Sequence, residues 1–322
     1  MVKALFVGDV MGIDRWHQLV RRLKELLAAQ TFDVLFIVGK LDLSDATEEE
    51  VVKAADYSIY LENVATSLKM LSFHAPLVSP EFAGSEAGRC ILDSIQVINE
   101  SGGYAGITTV THNDAHLTVA YANIENSAMA TNDMRAIDDV VSSIGYRGCD
   151  LLLTSEWPKG MHHFLSDGDS ANYRAMTVGT SIGIGSGSPA AALIATMVRP
   201  RYHFVGGQGV FYQRQPYVNR TENTSKASTG PYTRLISVNE ISDADVTKEK
   251  MKKWLHALSL KCIIHMTAEE LADAPAGATE CPFLDQVPSS SGTSSASHLT
   301  KHPFLSNGGD SADAAPAKRF KG

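Results

Sequence analysis

Short apolar runs alternate with amphipathic stretches along most of the chain. Residues 5–7 and 34–38 form apolar runs that each end at a glycine. Continuous apolar and β-branched runs predict strands that are covered on both faces of a sheet. Between these runs, leucines at helical spacing predict a helix over residues 14–29, with Asp14 as its cap. Residues 48–57 also predict a helix.

The same alternation continues in the second half of the chain. Residues 116–121 alternate between polar and apolar positions, which predicts a half-buried strand. A further helix is predicted to begin after Ser188, because serine is a favoured cap and Pro189 suits the first turn. The remaining predictions are a helix over residues 134–144, a buried strand over residues 150–154, and strands over residues 202–205 and 233–238. Strands that alternate with helices predict an α/β fold.

The composition changes at about Ala274, where Ser, Gly, Ala, Thr, Pro and Asp become dominant. Such a segment has too little apolar surface to fold, so residues 274–322 are predicted to be a disordered linker or tail after a domain at residues 1–273. A Pro-Phe-Leu triplet occurs twice in this segment, at residues 282–284 and 303–305. The repeat is either a coincidence or a pair of short peptide docking sites.

The overall composition is that of a folded protein with an acidic balance. Of 322 residues, 44% are hydrophobic and 20% are charged, and 28 Lys and Arg side chains against 36 Asp and Glu give a net charge of −8. This charge argues against a general coating of nucleic acid, although it leaves a local basic patch open. No apolar run approaches the roughly 20 residues of a membrane helix, so no membrane partner is expected. Four cysteines without Cys-x-x-Cys spacing are expected to be reduced thiols in the cytosol or nucleus.

The first apolar run leads into Gly-Asp-x-x-Gly, a pattern typical of the start of a metallophosphoesterase. That chemistry needs two divalent cations about 4 Å apart, held by side chains from strand-end loops. Asp9 is present, but Met11 stands where a His ligand is expected and Lys40 where the bridging Asp is expected. A thioether is a poor ligand for hard cations, and an ammonium group repels them. The chain also has no Asn-His pair and no His-x-His. No catalytic residue, metal or cofactor is therefore expected, and Gly8-Asp9 alone predicts a strand-to-loop turn.

Later motifs resemble the lariat debranching enzyme. Residues 153–160 (Leu-Thr-Ser-Glu-Trp-Pro-Lys-Gly) resemble its Leu-Ser-His-Asp-Trp-Pro segment, with Ser155 where the enzyme has a metal-binding His. Residues 199–204 (Arg-Pro-Arg-Tyr-His-Phe) resemble its Lys-Pro-x-Tyr-Trp-Phe strand, which leads there to Ala-His-Leu-His. Here both of those His positions are glycines, Gly207 and Gly209. Together with residues 212–219, 233–236 and 252–257, these motifs are similar to the N-terminal domain of the CwfJ family, the Cwf-nineteen-like splicing factors, over roughly residues 3–284.

The resemblance implies a metallophosphoesterase-like β-sandwich flanked by helices, without catalytic metals. The degenerate ligand positions are Asp9, Met11, Lys40, Ser155, Gly207 and Gly209. It also implies a nuclear role in pre-mRNA splicing and in handling the excised intron lariat. Spliceosomal proteins and the debranching enzyme are the implied partners, and lariat RNA is a further candidate. Full-length members share a second half with a zinc-binding, histidine-triad-like fold, whose Cys-x-x-Cys and His-x-His-x-His motifs do not occur in this sequence.

A basic and aromatic stretch offers candidate binding residues. Between residues 199 and 234 there are six basic side chains and one acidic side chain, with aromatic residues between them. Arginine binds phosphate with two donors, and aromatic rings stack on unpaired bases. The candidates for contact with RNA or a partner are Arg199, Arg201, Tyr202, Arg214, Tyr217, Arg220, Arg234 and, from the Trp-Pro motif, Trp157. The alternative is that the aromatic residues fill the core and the arginines pair with carboxylates.

Three functional hypotheses follow. The first is a non-catalytic RNA-processing adaptor that keeps the shape of the debranching enzyme. The second is a residual metal-dependent RNA phosphodiesterase that uses Asp9, Glu156 and a histidine from elsewhere. The third is a structural module that positions the second half of the family's longer members. Lys40 also has two interpretations, either as a solvated loop residue or as an ammonium group that takes the place of a metal's charge beside Asp9.

Overall fold

Two β-sheets lie face to face, with helices on both outer faces. The computed structural model describes residues 1–46, 68–72, 74–98, 104–112, 115–124, 131–177, 186–219, 231–243 and 252–283. The strands are β1 (Val2–Val7), β2 (Val10–Met11), β3 (Val34–Ile37), β4 (Leu41–Leu43), β5 (Lys69–Ser72), β6 (Leu77–Val78), β7 (Ile95–Val97), β8 (Ala105–His112), β9 (Ala115–Ala122), β10 (Cys149–Thr154), β11 (Pro200–Val205), β12 (Tyr212–Gln213), β13 (Tyr217–Val218), β14 (Tyr232–Ser237) and β15 (Leu255–Leu260). The helices are α1 (Ile13–Ala29), α2 (Pro80–Gly84), α3 (Glu86–Asp93), α4 (Thr131–Val141), α5 (Asp167–Thr177), α6 (Pro189–Val198), α7 (Ala268–Ala272) and a 3-10 helix, Ile263–His265.

Both large sheets are mainly parallel. The first sheet has the order β15–β1–β3–β5–β7, and only β15 at its edge is antiparallel to its neighbour. The second sheet has the order β12–β14–β11–β10–β9–β8, in which β9, β10, β11 and β14 are parallel and β13 also pairs with β14. Strands β2, β4 and β6 form a small parallel sheet. Because parallel strands end at the same side of a sheet, their loops gather at one edge, where ligand sites of α/β proteins usually lie.

Three hydrophobic cores separate the layers. Between the sheets, the ring of Phe6 in β1 stacks on Phe204 in β11 with 3.5 Å between centroids. Outside the first sheet, helix α1 buries Trp16 against the strands. Outside the second sheet, helices α4 to α6 bury Ile137, Tyr173 and other side chains. These layers confirm the predicted α/β sandwich flanked by helices.

Within the described residues, the sequence patterns predict the positions of strands and helices correctly, but they assign one helix N-cap to the wrong residue. The predicted strands and helices that lie in the described ranges are present, with ends shifted by a few residues. Ser188 caps α6 as predicted, since its Oγ accepts a hydrogen bond from Ala191 N–H at 3.3 Å. Asp14 does not cap α1, because Gly12 occupies the cap position and Asp14 lies in the first turn. The helix predicted over residues 48–57 lies outside the described residues.

The folded unit extends beyond the boundary predicted at residue 273. It runs from Met1 to Val287, and a second unit, residues 288–322, lies outside the described residues. Thr279 N–H donates to Pro216 O at 2.8 Å, and the buried ring of Phe283 meets Tyr217 with centroids 5.3 Å apart. Composition hides this because a few apolar side chains anchor an otherwise polar segment.

Within the described ranges, no helix is long and apolar enough to cross a membrane. The four cysteines are free thiols, as predicted. Cys149, Cys262 and Cys281 are buried, and Cys90 is half-buried. Burial raises the pKa of the Cys149 thiol well above its ordinary value, which keeps it protonated and unreactive.

Candidate functional site

Loops from both sheets meet at the carboxyl edge of the parallel strands. Asp9 follows β1, Lys40 follows β3, Ser155 follows β10, and Gly207 and Gly209 follow β11. The loops after β3 and β11 touch, because a Cβ atom built on residue 206 would lie 2.6 Å from the main-chain nitrogen of residue 39. The structure therefore brings these predicted ligand positions to one edge of the sandwich.

Two glycines at this edge are closely packed. A Cβ atom on Gly39 would lie 2.1 Å from Asp9 Oδ1, and one on Gly206 would lie 2.5 Å from Val38 O. Neither approach is sterically allowed, so both positions require glycine. At residues 206, 38 and 39 the two sheets thus touch through their backbones.

The Asp9 carboxylate is engaged by the protein itself. Its Oδ1 accepts a hydrogen bond from Lys40 N–H at 2.7 Å, and its main-chain carbonyl accepts one from Ile241 N–H at 2.9 Å. Carboxylates that bind main-chain donors in this way fix loop geometry. The arrangement agrees with the strand-to-loop turn predicted for Gly8-Asp9.

Two of the predicted ligand positions at this edge, Met11 and Lys40, carry side chains that are unsuited to hard cations. Met11 is 44% exposed on the short strand β2, and Lys40 is half-buried beside the Asp9 turn. Among the described residues, no three His, Cys, Asp or Glu side chains converge to hold an ion. The donor set therefore does not fit a pair of divalent cations.

Ser155, Gly207 and Gly209 have structural roles. Buried Ser155 accepts a hydrogen bond from Ile124 N–H at its Oγ, 2.9 Å away, and its carbonyl accepts one from Gln208 Nε2 at 3.2 Å. Gly207 and Gly209 have φ angles of 72° and 63°. This left-handed region favours glycine, so an imidazole-bearing residue would be strained at either position.

Two polar residues at this edge were not predicted from the sequence. Asn123 follows β9, and its Nδ2 lies 3.1 Å from Nδ1 of His74, which follows β5. The pair links the loops of the two sheets. It has no local sequence signal, because the residues are 49 positions apart.

The basic cluster, here Arg199, Arg201, Tyr202 and Arg234, lies at the opposite end of the second sheet. Arg199 immediately precedes β11, and Tyr202 pairs with Arg234 across β11 and β14. The guanidinium groups of Arg201 and Arg234 each lie 5.7 Å from the centroid of the Tyr202 ring. Of these side chains Arg234 is exposed, and the other three are partly buried. The structure brings four predicted binding residues together, away from the strand-end loops.

Arg201 is largely committed to internal contacts. Its Nη1 lies 3.3 Å from Oδ1 of Asp150 and also donates to Lys261 O. Asp150 is fully buried and accepts hydrogen bonds from Thr118 N–H and Ile263 N–H at 3.0 and 2.7 Å. Burial raises the pKa of Asp150, while the two N–H donors and Arg201 favour its charged form. This ion pair ties β9, β10, β11 and the chain after β15 together.

Arg214 and Tyr217 are internal, contrary to the prediction of a binding surface. Arg214 donates to the carbonyls of Met161 and His163 at 2.7 and 2.8 Å, and to Thr279 Oγ1 at 3.1 Å. Its guanidinium also lies 5.2 Å from the centroid of the fully buried Tyr217 ring. A buried arginine needs many acceptors, and here main-chain carbonyls provide them in place of carboxylates. The pair holds the 279–283 segment against β13.

Trp157 also belongs to the core. Its Nε1 donates to Ser237 Oγ at 3.0 Å, and its ring lies about 6 Å from those of Tyr173 and Tyr212. At 1% exposure it is inaccessible to a partner, so its prediction as a binding residue is wrong. The remaining candidate, Arg220, lies outside the described residues.

Arg147 extends the basic cluster and was not predicted. It is exposed, and its Nη2 donates to Met266 O at 2.5 Å. Its neighbour Tyr146 carries the guanidinium of Arg199 over its ring, 5.2 Å from the centroid. The residue lies outside the basic stretch of the sequence, so only the fold shows that it joins the same end of the sheet.

A lysine just before β15 forms a separate group, the Lys253 cluster of Lys253, His256 and Phe211. Lys253 Nζ lies 3.3 Å from His256 Nδ1 and 5.0 Å from the centroid of Phe211. In the part of the chain that the structure describes, Lys253 has no carboxylate partner. Burial lowers the pKa of His256 to about 4, and the positive Lys253 adds to this shift. His256 is therefore neutral, and its Nδ1 accepts from the ammonium group.

Comparisons with known proteins give the lineage of the chain. It is 26% identical over 293 residues to the CWF19-like protein 1 homolog of Caenorhabditis elegans. The matched region covers 88% of this chain and 48% of that protein. It is 32% identical over 141 residues to the CWF19-like protein 1 of Homo sapiens. This match covers 43% of this chain and 22% of that protein. The chain therefore spans about half the length of the C. elegans protein, and its match to the human protein covers 22% of that protein.

A scan against family models finds no match. Among solved structures, the purple acid phosphatase PPD1 of yellow lupin superposes with a TM-score of 0.34 and 10% identity, over 76% of this chain and 46% of that chain. The assignment of the fold rests on the sheet order and layers described above. Taken with the Trp-Pro and Arg-Pro-Arg-Tyr motifs, the sequence matches confirm the resemblance: over most of its length the chain is similar to CWF19-like proteins.

Proposed function

We propose that the chain is a non-catalytic RNA-processing adaptor that acts in the nucleus, in pre-mRNA splicing and in intron lariat turnover. The observation that carries this proposal is the make-up of the carboxyl edge, where Lys40 N–H holds Asp9 Oδ1 and the backbone of residue 206 lies against residues 38 and 39. Hydrolysis of a phosphodiester by this type of fold needs cations that activate water and neutralise the phosphate. At this edge Met11 and Lys40 stand in place of two expected ligands, and among the described residues no three His, Cys, Asp or Glu side chains converge to hold a cation. Homology to CWF19-like proteins supports the splicing role.

The basic cluster, with Arg147, supports contact with RNA. Arg234 and Arg147 are exposed, and Tyr202 between two guanidinium groups is partly exposed. Arginine donors bind phosphate oxygens, and an accessible tyrosine edge adds contact to a splayed base. Because Arg201 is paired with Asp150, the phosphate contacts are assigned to Arg147, Arg199 and Arg234. Spliceosomal proteins and the debranching enzyme are the proposed protein partners.

The proposal is tested by assaying a branched 2′,5′-linked RNA with the purified chain and added Mn²⁺. We expect RNA retention without cleavage, together with no metal content above that of a buffer blank. Cleavage that is lost in Asp9→Ala would overturn the proposal in favour of a residual phosphodiesterase.

RNA retention is then measured across a salt series. Arg234→Glu should weaken binding and reduce the salt slope by about 0.7 for each phosphate contact removed. Arg22→Glu, on the exposed face of α1, is the matched control and should have no effect. Equal retention by wild type and Arg234→Glu would remove this surface from the proposal.

A further inference from the structure

Among the described residues, β15 is an edge strand of the first sheet. It pairs with β1 on one side, and no other strand in the described ranges pairs with it. Gly8 N–H donates to Trp254 O at 3.2 Å, which makes residues 8 and 254 a hydrogen-bonded pair of this antiparallel ladder. Bonding alternates along such a ladder, so residues 256, 258 and 260 bond to β1 while residues 255, 257 and 259 direct their N–H and C=O groups outward.

Contacts on both sides of β1 and β15 support this assignment of inward-facing and outward-facing residues. On β1, the carbonyls of Lys3 and Val7 accept hydrogen bonds from the chain around β3, at 2.8 Å each, so odd-numbered residues face away from β15. On β15 the same alternation continues to Lys261, whose carbonyl accepts from Arg201 on the outer side. Ala257 and Ser259 are exposed. Across the described residues, Leu255, Ala257 and Ser259 make no hydrogen bond on this outer side.

Lysine and aromatic side chains lie near this edge. Lys253 precedes the strand without a carboxylate partner in the described ranges, and exposed Lys3 lies beside Ser259 in the register with β1. Lys261, at the far end, is held by Glu270 at 2.8 Å. Half-buried Phe211 stacks on His256 with centroids 6.0 Å apart and offers apolar contact next to the edge.

These charges select against pairing with a second copy of the chain. A two-fold axis through Ala257 would overlap the two β15 strands fully and would place Lys253 opposite Lys261 of the copy. Like charges directly opposite each other destabilise a strand pair, and lysine at an edge is a common guard against self-association. A strand with acidic side chains at these positions would instead be attracted to the lysines.

We infer that β15 binds a partner protein by strand addition, and that the bound segment is an extended peptide with acidic residues flanking a short β-branched run. The peptide bonds to the outward main chain of Leu255, Ala257 and Ser259, and its leading acidic residue pairs with Lys253. Main-chain bonding gives such sites their affinity, and the flanking charges give selectivity. The inference rests on the proposed adaptor role for its biological meaning, but not on RNA binding.

The probe is the fluorescein-labelled peptide Glu-Glu-Val-Thr-Val-Thr-Val-Glu-Glu, titrated with the full chain and followed by anisotropy. We expect saturable binding, and weaker binding by at least about tenfold for a peptide with Lys in place of every Glu. Two further peptides are N-methylated on either the valines or the threonines, and one of them should lose at least about tenfold in affinity because alternate N–H groups face β15. Absence of binding up to about 1 mM, or equal binding of all four peptides, overturns the inference.

Variants of the chain test the same edge. Ala257→Pro removes an outward donor and leaves the β1 ladder intact, so it should keep the circular dichroism spectrum and lower affinity at least about tenfold. Lys253→Glu should lower the affinity for the acidic peptide and raise the affinity for the lysine-flanked peptide. Because this substitution changes only a side-chain charge, it tests the site without altering the backbone. Lys24→Glu on α1 is the control. Unchanged affinities for folded Ala257→Pro and for Lys253→Glu place the peptide elsewhere and overturn the inference.

Sedimentation velocity separates the alternative occupant. We expect a monomer, whereas a dimer that is lost in Ala257→Pro would show that a second copy occupies the edge and would overturn the inference. Failure of the proposed function has a different signature, namely RNA cleavage or loss of RNA retention with peptide binding intact. Peptide binding that fails while RNA retention depends on Arg234 refutes only the strand-addition site.

Discussion

Two buried neutral histidines should make the fold sensitive to mild acid. His203 has no exposed surface, and its Nε2 lies 2.8 Å from Thr154 Oγ1. Burial lowers the pKa of His203 to about 3, and burial with the positive Lys253 lowers that of His256 to about 4. Both values lie below the ordinary value of 6.5. The unfolded chain therefore binds more protons, and stability that is present above pH 6.5 is lost as the pH falls toward the folded pKa values.

The size of this effect follows from the two pKa values. At about pH 5, roughly 1.5 pH units below the ordinary pKa, each neutral histidine lowers the free energy of unfolding by about 2 kcal/mol. The two together account for about 4 kcal/mol, a large part of the roughly 5–15 kcal/mol that stabilises a typical domain. The loss from His256 ends near pH 4 and that from His203 continues to about pH 3.

Urea denaturation followed by circular dichroism, at about pH 7.5 and about pH 5, measures this difference. His203→Gln and His256→Gln should each reduce the pH-dependent loss by about 2 kcal/mol, because glutamine can donate to Thr154 Oγ1 in the first case and does not titrate in either. His116→Gln, at an exposed position of β9, is the control. A pH-dependent loss that is the same in wild type and both variants would refute the reasoning.

Three further substitutions test the described contacts. Asp150→Ala leaves Arg201 without its buried partner and should lower the free energy of unfolding by about 3–5 kcal/mol in urea titrations; a loss below about 1 kcal/mol would contradict a structural ion pair. Gly206→Ala places a Cβ atom against Val38 O and should cost about 1–3 kcal/mol, whereas Gly84→Ala, with open space around its Cβ position, should not destabilise. Phe283→Ala empties a buried site and should lower the melting temperature, with a cost of about 3–5 kcal/mol; an unchanged melting temperature would restore the domain boundary at residue 273.

The sequence predicts what depends on local pattern. Apolar runs mark β1 and β3, and the Ser188-Pro189 start marks α6, because strand burial and helix capping are decided by neighbouring residues. The identities of Met11 and Lys40 also show from the sequence alone that metal ligands are missing at those positions.

The sequence does not show which charged side chains are internal. Arg214 and Arg234 look alike in the basic stretch, yet Arg214 is buried among carbonyls and Arg234 is exposed. The difference depends on contacts with residues 161, 163 and 279, which lie more than 50 positions away. Asp150 and Arg201 meet only because β10 and β11 are neighbours in the sheet. Long-range pairing of this kind has no local signal.

Gly207 and Gly209, which follow β11 in the left-handed conformation, limit what substitution of these two positions by histidine can achieve. Histidines introduced at positions 207 and 209 would have to adopt φ angles of 72° and 63°, which L-residues with a side chain rarely accept. Residue 206, immediately before them, is packed against Val38 O, which limits how the start of this loop can move. Placing histidines at these two positions would therefore require a new path for the loop as well as the two substitutions.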